Sequence, residues 1–313
     1  MATRELSGSP RMAGLFARAG MGSIPGVSRL PMVGGGRGRE IPDLTLVLRD
    51  VGVDRERLAA YDRVCGFRLS DRLPATYPHM LAFPLQLALM TDPSFPFGAI
   101  GLVHIANRIT QHRAIRADER LELKVWATPL EPHPRGRQFS LCSEARSGGE
   151  LVWEETSTTL RRGPGTDAPK EGRRQLPVAS ELTPAATWKL PGDLGRRYAS
   201  VSGDFNPIHV HPLTARLFGF PSAIAHGMWT KARCLAALEP QLPEAFTVNV
   251  AFRKPVVLPA RVTFAEQTRP GGIDFAVRDA HKDTPHLEGR LKFAKRPVRR
   301  STRPAARAGG GAR

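Results

Sequence analysis

The sequence predicts an α+β fold built from two tandem repeats, each an antiparallel sheet wrapped around one central helix. Three observations carry that expectation. Two long apolar stretches, 80–90 and 224–238, have the length and composition of buried helices. Each is followed by short segments in which apolar and polar residues alternate, the period of half-buried strands. The segment 105–115 after the first helix is echoed by 248–258 after the second, the mark of an internal duplication. A long helix backed by an antiparallel sheet buries the apolar faces of both elements.

Composition sets the outer limits. The chain has 313 residues, enough for roughly two domains, and 41% are hydrophobic, an ordinary share for a protein with a sizeable core. A net charge of +17 first points to nucleic acid or an anionic surface. Its placement argues otherwise. Residues 1–40 hold six Arg against two Glu, residues 295–313 hold seven basic residues and no acid, and the body between is only mildly basic. Cys65, Cys142 and Cys234 are widely spaced and odd in number, which argues against a disulfide framework or a zinc site. No apolar run reaches the ~18 residues of a membrane span, and the N-terminus lacks the continuous apolar core of a secretory signal. A reduced, cytoplasmic setting is expected.

Residues 1–40, with Gly34, Gly35 and Gly36 and scattered Arg, read as a disordered basic arm. Leu58, Tyr61 and Val64 recur at helical spacing in 51–65, which ends at Gly66. The buried helix 80–90 follows, with Pro84 tolerated only in its first turn. Then the period changes. Segments 101–109 and 119–126 alternate, 139–145 and 151–160 continue the meander, and the Thr/Ser-rich 155–159 suits a strand with one wet face. Residues 41–162 form the N-terminal repeat, and the Pro-, Gly- and Arg-rich 163–180 is a linker. The second repeat, 181–295, opens with a short strand at 187–190 and a helix to about Val201 capped by Asp193. Pro212 starts a short helix through Ala215 and Phe218, and the second buried helix opens at Gly227. Strands follow at 246–252, 260–268, 273–281 and 287–293, with Gly271 and Gly272 in a tight turn. Residues 296–313 are a basic disordered tail.

Chemistry concentrates in Ser202-Gly203-Asp204-Phe205-Asn206-Pro207-Ile208-His209. An acid and an imidazole five residues apart do not face each other on a helix, whose neighbour spacings are three and four. Asn206-Pro207 breaks the chain between them and can fold His209 back toward Asp204. Taken singly, Asp204 would read as a helix cap and His209 as a satisfied loop histidine. Jointly, with Ala225-His226-Gly227-Met228 downstream, they read as a proton-transfer pair, a contribution worth about 10²–10⁴-fold in rate. Gly227 can offer an unobstructed backbone N–H at the positive end of the central helix, or merely mark a tight helix start. His211 and His226 read as structural, His226 by capping or orienting that helix start. Arg253 and Lys254 can meet phosphates, or be solvated charges at a strand end.

Those residues carry a family resemblance. Tyr198, the stretch 202–209, Pro212, Ala215, Gly219-Phe220 and Ala225-His226-Gly227-Met228 closely resemble the signature of the MaoC-like (R)-specific enoyl-thioester hydratases, over roughly 181–295. The layout of 41–295, including Thr76-Tyr77-Pro78, resembles the double hot-dog 3-hydroxyacyl-thioester dehydratases. The resemblance implies two hot-dog repeats and reversible dehydration of (3R)-hydroxyacyl thioesters to trans-2-enoyl thioesters, in fatty-acid or polyketide metabolism. Asp204 and His209 would be the acid–base pair, with Gly227 N–H polarising the thioester carbonyl and Asn206 and His226 shaping the site. The first repeat, which lacks the motif, would shelter the acyl chain. No metal or cofactor is implied; the carrier is coenzyme A or the phosphopantetheine of an acyl-carrier protein. One departure is His211, where the family often places a carboxylate or amide. A homodimer of the double-repeat chain is left open. The competing readings are a hot-dog acyl thioesterase, since one fold hosts both chemistries, and a basic nucleic-acid-binding protein, disfavoured because the charge lies in the tails.

Overall fold

The computed structural model describes residues 2–21, 40–99, 101–165 and 176–294. The first half contains β1 (Ala2–Leu6), α1 (Met12–Met21), β2 (Leu44–Val51), α2 (Arg55–Cys65), α3 (Tyr77–Met90), β3 (Leu102–Gln111), β4 (Leu121–Ala127), β5 (Glu131–His133), β6 (Gly136–Ser147) and β7 (Glu150–Arg162). The second contains β8 (Thr183–Leu190), α4 (Leu194–Ser202), α5 (Pro207–Val210), α6 (Pro212–Leu217), α7 (Gly227–Leu238), β9 (Phe246–Phe252), β10 (Ala260–Arg269), β11 (Gly272–Asp279) and β12 (Pro285–Phe293). The strands join into one sheet ordered β1-β2-β4-β6-β7-β3-β9-β12-β11-β10-β8, with β5 on β6. The halves meet where β3 runs antiparallel to β9, Ala106 opposite Ala251.

Local chemistry explains most boundaries. Asp54 accepts from the N–H groups of Glu56 and Arg57 to start α2, and Gly66 closes it in the left-handed region at φ 83°. Along β4 every second residue is buried, as the alternation required. The two central helices α3 and α7 carry the largest apolar content, and Met80, Leu85, Leu89, Ala232 and Leu235 join one hydrophobic cluster that runs through both repeats. Side-chain contacts also stitch the repeats beyond the sheet, two of them from α2 and α7. Trp229 Nε1 on α7 donates to Val64 O on α2 at 3.0 Å, and Arg57 Nε donates to Val201 O at 2.9 Å.

Four expectations need correction. Part of the segment read as a disordered arm is built: β1 pairs in parallel with β2, and Leu15 and Ala19 of α1 are buried. Short amphipathic pieces amid Gly and Arg carried too weak a pattern to show this; 22–39 lie outside the described residues. Pro84 stands midway along α3, not in its first turn. Its ring leaves the Met80 carbonyl without a helical partner, and burial of Tyr77, Met80, Leu85 and Leu89 holds the helix regardless. Asp193 occupies the cap position of α4 but makes no capping bond; its carboxylate is drawn instead to Arg197 at 2.8 Å. Finally, β7 has polar residues on both faces, because Glu155, Ser157 and Thr159 point inward and are buried. The linker core 166–175 and the tail 295–313 lie outside the described residues.

Candidate active site

The acid–base stretch is shaped by three consecutive local devices. Gly203 ends α4 in the left-handed region at φ 82°, its N–H on Ala199 O, a conformation that favours glycine. Asp204 then leaves the helix with its N–H on Ser202 Oγ at 3.1 Å, and its Oδ1 accepts from Asn206 N–H at 3.1 Å. Asn206 in turn caps α5 by accepting from Ile208 N–H, and Pro207 occupies the first helical position. His209 therefore sits on the single turn of α5, with a ring nitrogen within 4.8 Å of an Asp204 carboxylate oxygen.

The imidazole is locked from the other side. His209 Nδ1 donates to Ile224 O at 2.8 Å, while Ile224 N–H donates to Ile208 O at 3.1 Å. With Nδ1 protonated on a carbonyl, Nε2 keeps its lone pair. Burial pushes the His209 pKa down, more than Asp204 and the Ile224 carbonyl push it up, so the ring is neutral at pH 7. His226 stacks on it with ring centroids 3.7 Å apart. Its Nε2 donates to Asp204 O at 3.0 Å, and burial, reinforced by His209, lowers its pKa to about 3.

Close packing of α4 on α5 depends on a residue that pattern reasoning missed. A Cβ at Gly195 would lie 1.8 Å from His209 O. Nothing in the spacing of Gly195 marks it; only the tertiary approach of two helices gives it a role. Gly227 is the first residue of α7 and lines the same cavity as Asp204 and His209. A Cβ there would come within 3.0 Å of the Phe252 ring. The first amides of α7 have no partner within the helix and sit at its positive end.

The cavity has a volume of about 350 Å³ and draws its walls from both repeats. Arg253 and Lys254 lie at its rim, exposed just beyond the end of β9. Arg253 is not free for a phosphate alone, since its Nε is on Glu288 at 2.7 Å. His211 accepts from Leu213 N–H and caps α6. Asp204, His209 and His226 each bring one potential ligand atom within 4.8 Å of the others. Stacked rings hold their in-plane lone pairs side by side, which does not converge on one ion, and His226 Nε2 already holds the Asp204 carbonyl. A second polar cluster, His79 and Glu155 with Asn107, was also missed; its members are scattered over α3, β3 and β7, and no local motif joins them.

Residues 172–284 match the model of the MaoC like domain. The 3-hydroxyacyl-thioester dehydratase X of Mycobacterium tuberculosis is 36% identical over 277 residues, 88% of this chain and 95% of that one. The chain belongs to the MaoC-like dehydratase family. As a MaoC-like dehydratase it is a hydro-lyase, and its architecture follows that of its relatives. A crystal structure of HtdX from Mycobacterium tuberculosis superposes with a TM-score of 0.72 at 36% identity, covering 80% of this chain and 100% of that one. Another Mycobacterium tuberculosis protein, described as a double hot-dog fold, superposes with a TM-score of 0.50 at 13% identity, over 79% of this chain and 95% of that one. The likeness shows two hot-dog repeats in this MaoC-like dehydratase. Among the described residues, no helix is long and apolar enough to cross a membrane.

Proposed function

We propose that the protein reversibly dehydrates (3R)-hydroxyacyl thioesters to trans-2-enoyl thioesters, with Asp204 and His209 as the proton-transfer pair. The observation that carries this reading is the neutral His209 whose Nδ1 is tied to Ile224 O, leaving Nε2 as a base beside the Asp204 carboxyl. In dehydration His209 Nε2 takes the C2 proton. The electron pair delocalises onto the thioester oxygen, then forms the C2–C3 double bond as the C3–O bond breaks. The acid form of Asp204 gives its proton to the departing hydroxyl, which leaves as water. The pair is reset when the His209 proton returns to Asp204. Charge on the thioester oxygen is met by the N–H of Gly227 at the start of α7. In hydration the same steps run backwards.

Asn206 and His226 act on this pair by fixing the loop and the carbonyl of Asp204. Lys254, with Arg253 beside it, suits the phosphates of coenzyme A or a carrier-bound phosphopantetheine at the cavity rim. The chemistry asks for no metal or cofactor, since both proton transfers and the oxyanion contact come from the chain itself. The deciding experiment follows the ultraviolet absorbance of a trans-2-enoyl-CoA incubated with the protein. Hydration removes the conjugated double bond, so absorbance falls. A fall of the same size with His209→Ala, or none with the native chain, would overturn the reading; release of free thiol without loss of the double bond would favour a thioesterase.

A further inference from the structure

The cavity that holds Asp204 and His209 continues into the first repeat, and its wall there is only partly apolar. Phe83, Leu87 and Leu160 line it as an alkyl chain would require, but His79, Ser157 and Thr159 line it too. Ser157 and Thr159 follow Glu155 along the inner face of β7, where successive inward side chains stand about 7 Å apart. Glu155 is buried and receives three donors: His79 Nδ1 at 2.9 Å, Asn107 Nδ2 at 2.6 Å and Gln86 Nε2 at 3.1 Å. Burial pushes its carboxyl up, but His79, Asn107 and Lys231 outweigh that and hold it at about 2.

The consequence falls on His79. A buried carboxylate on Nδ1 fixes the ring and its tautomer, leaving Nε2 as the nitrogen available to the cavity. The arrangement is that of an oriented imidazole, yet no step of the dehydration uses it. Nearby His104, also on the cavity wall, keeps a buried Nε2 without a hydrogen-bond partner. Ser157 Oγ already accepts from Asn107 Nδ2 at 2.8 Å, which leaves its O–H to donate into the cavity. Facing a plain alkyl chain, such groups would lose water and gain nothing.

We propose that His79, oriented by Glu155, forms with the Ser157 and Thr159 hydroxyls a polar subsite for an oxygen on the acyl chain, so that the preferred substrates are acyl thioesters carrying a hydroxyl or keto group beyond C3. This rests on the dehydratase reading only for which ligand enters the cavity. The His79 Nε2 can donate to or accept from a hydroxyl according to its protonation, and the Ser and Thr hydroxyls donate to either oxygen type. The apolar side chains around them confine that oxygen to one depth in the cavity, so its position along the chain is selected.

The test is calorimetric binding of saturated acyl-CoA probes to the full chain. Probes of one length are compared, unsubstituted or hydroxylated at successive positions beyond C3. One position should bind about fivefold to tenfold tighter than the plain chain, the gain of a single added hydrogen bond. In Ser157→Ala/Thr159→Val, and separately in His79→Gln, that ratio should fall to within about twofold of unity. His79→Gln leaves Glu155 its donors Gln86 and Asn107, and the double variant leaves all three, so misfolding of one variant does not remove the test. No favoured position in the native protein, or an advantage that survives in both variants, overturns the subsite. Saturated probes cannot be hydrated, so failure of enoyl-CoA hydration would sink the dehydratase reading while leaving this ratio to be measured. Failure of plain and hydroxylated probes alike to bind would sink the subsite.

Discussion

The imidazole of His209 lies face to face with that of His226, ring centroids 3.7 Å apart and planes 25° from parallel. In the proposed mechanism one ring takes a proton; the other reaches past it to the Asp204 carbonyl. His226 would thus tie the two halves of the proposed acid–base pair without touching the reacting atoms. His226→Phe keeps the stack and removes the bond to Asp204 O, a loss of roughly 0.5–1.5 kcal/mol if confined to that bond. The expected outcome is a fall of about tenfold in kcat for enoyl-CoA hydration with little change in KM. His226→Ala removes stack and bond together and should cost more. Equal effects of the two would show that the stack adds nothing beyond the bond to Asp204, and full activity in His226→Phe would show that the bond is not what matters.

The pair itself should behave as a unit. His209→Ala and Asp204→Asn are each expected to lower kcat by about 10²–10⁴-fold, and the double variant by little more than the worse single. The pH dependence has a defined sign. The base form of His209 is neutral, and its folded pKa lies below the usual 6.5. As far as His209 sets it, the rate of dehydration should therefore be level above that value and fall as pH drops through the lowered pKa. An acidic limb centred above pH 6.5 would remove His209 from the role of base.

Much of this was legible in the chain before any coordinates. Alternating segments gave the strands, since a period of two survives any sheet partner, and Asp204, Asn206 and His209 were readable because one turn places all three. What was not legible depends on distant partners. Glu155 in a run of Thr and Ser looked like a wet strand face; its burial is explained only by His79, Asn107 and Gln86 arriving from α3 and β3. Likewise α1 owes its place to a core it joins through Leu15. Asp193 shows the opposite limit, where a local rule was right about position and a neighbouring Arg197 took the side chain away.

Gly195 offers a test of how far the site depends on helix packing. In Gly195→Ala the new methyl would stand 1.8 Å from His209 O, and a backbone atom cannot swing aside as a flexible side chain can. α4 and α5 must separate, carrying His209 away from Asp204. A shift of this kind far from any substrate atom can cost about 10²-fold, so kcat should fall by one to two orders of magnitude, with a lowered melting temperature. Full activity in Gly195→Ala would mean that the two helices pack more loosely than the geometry shows.

Gly227 separates packing from oxyanion binding. Ala at 227 keeps the backbone N–H, so damage would come from its methyl meeting the Phe252 ring at 3.0 Å. Gly227→Ala should lower kcat, and Phe252→Leu in the same chain should recover most of it by giving the methyl room. No recovery, with the fold intact, would place the need for glycine in substrate approach to the N–H.

Lys231 is fully buried, and it crosses from one repeat to the other. From α7 its ammonium donates to Asn107 Oδ1 on β3, the same side chain that donates to Glu155. Burial pushes its pKa down to about 7, only partly opposed by Glu155. The linkage follows directly. With a folded value near 7 and an unfolded value of about 10.4, the unfolded chain binds more protons between those limits, so stability rises with pH across that window. The native protein should gain melting temperature from pH 7 to about 8, below the range in which the cysteine thiols and tyrosines of the unfolded chain ionise. Lys231→Met has no such proton to lose and should show a flatter profile over the same range. Parallel profiles for the two proteins would mean that Lys231 stays charged at its buried position, held by Glu155 through Asn107 more strongly than burial opposes it.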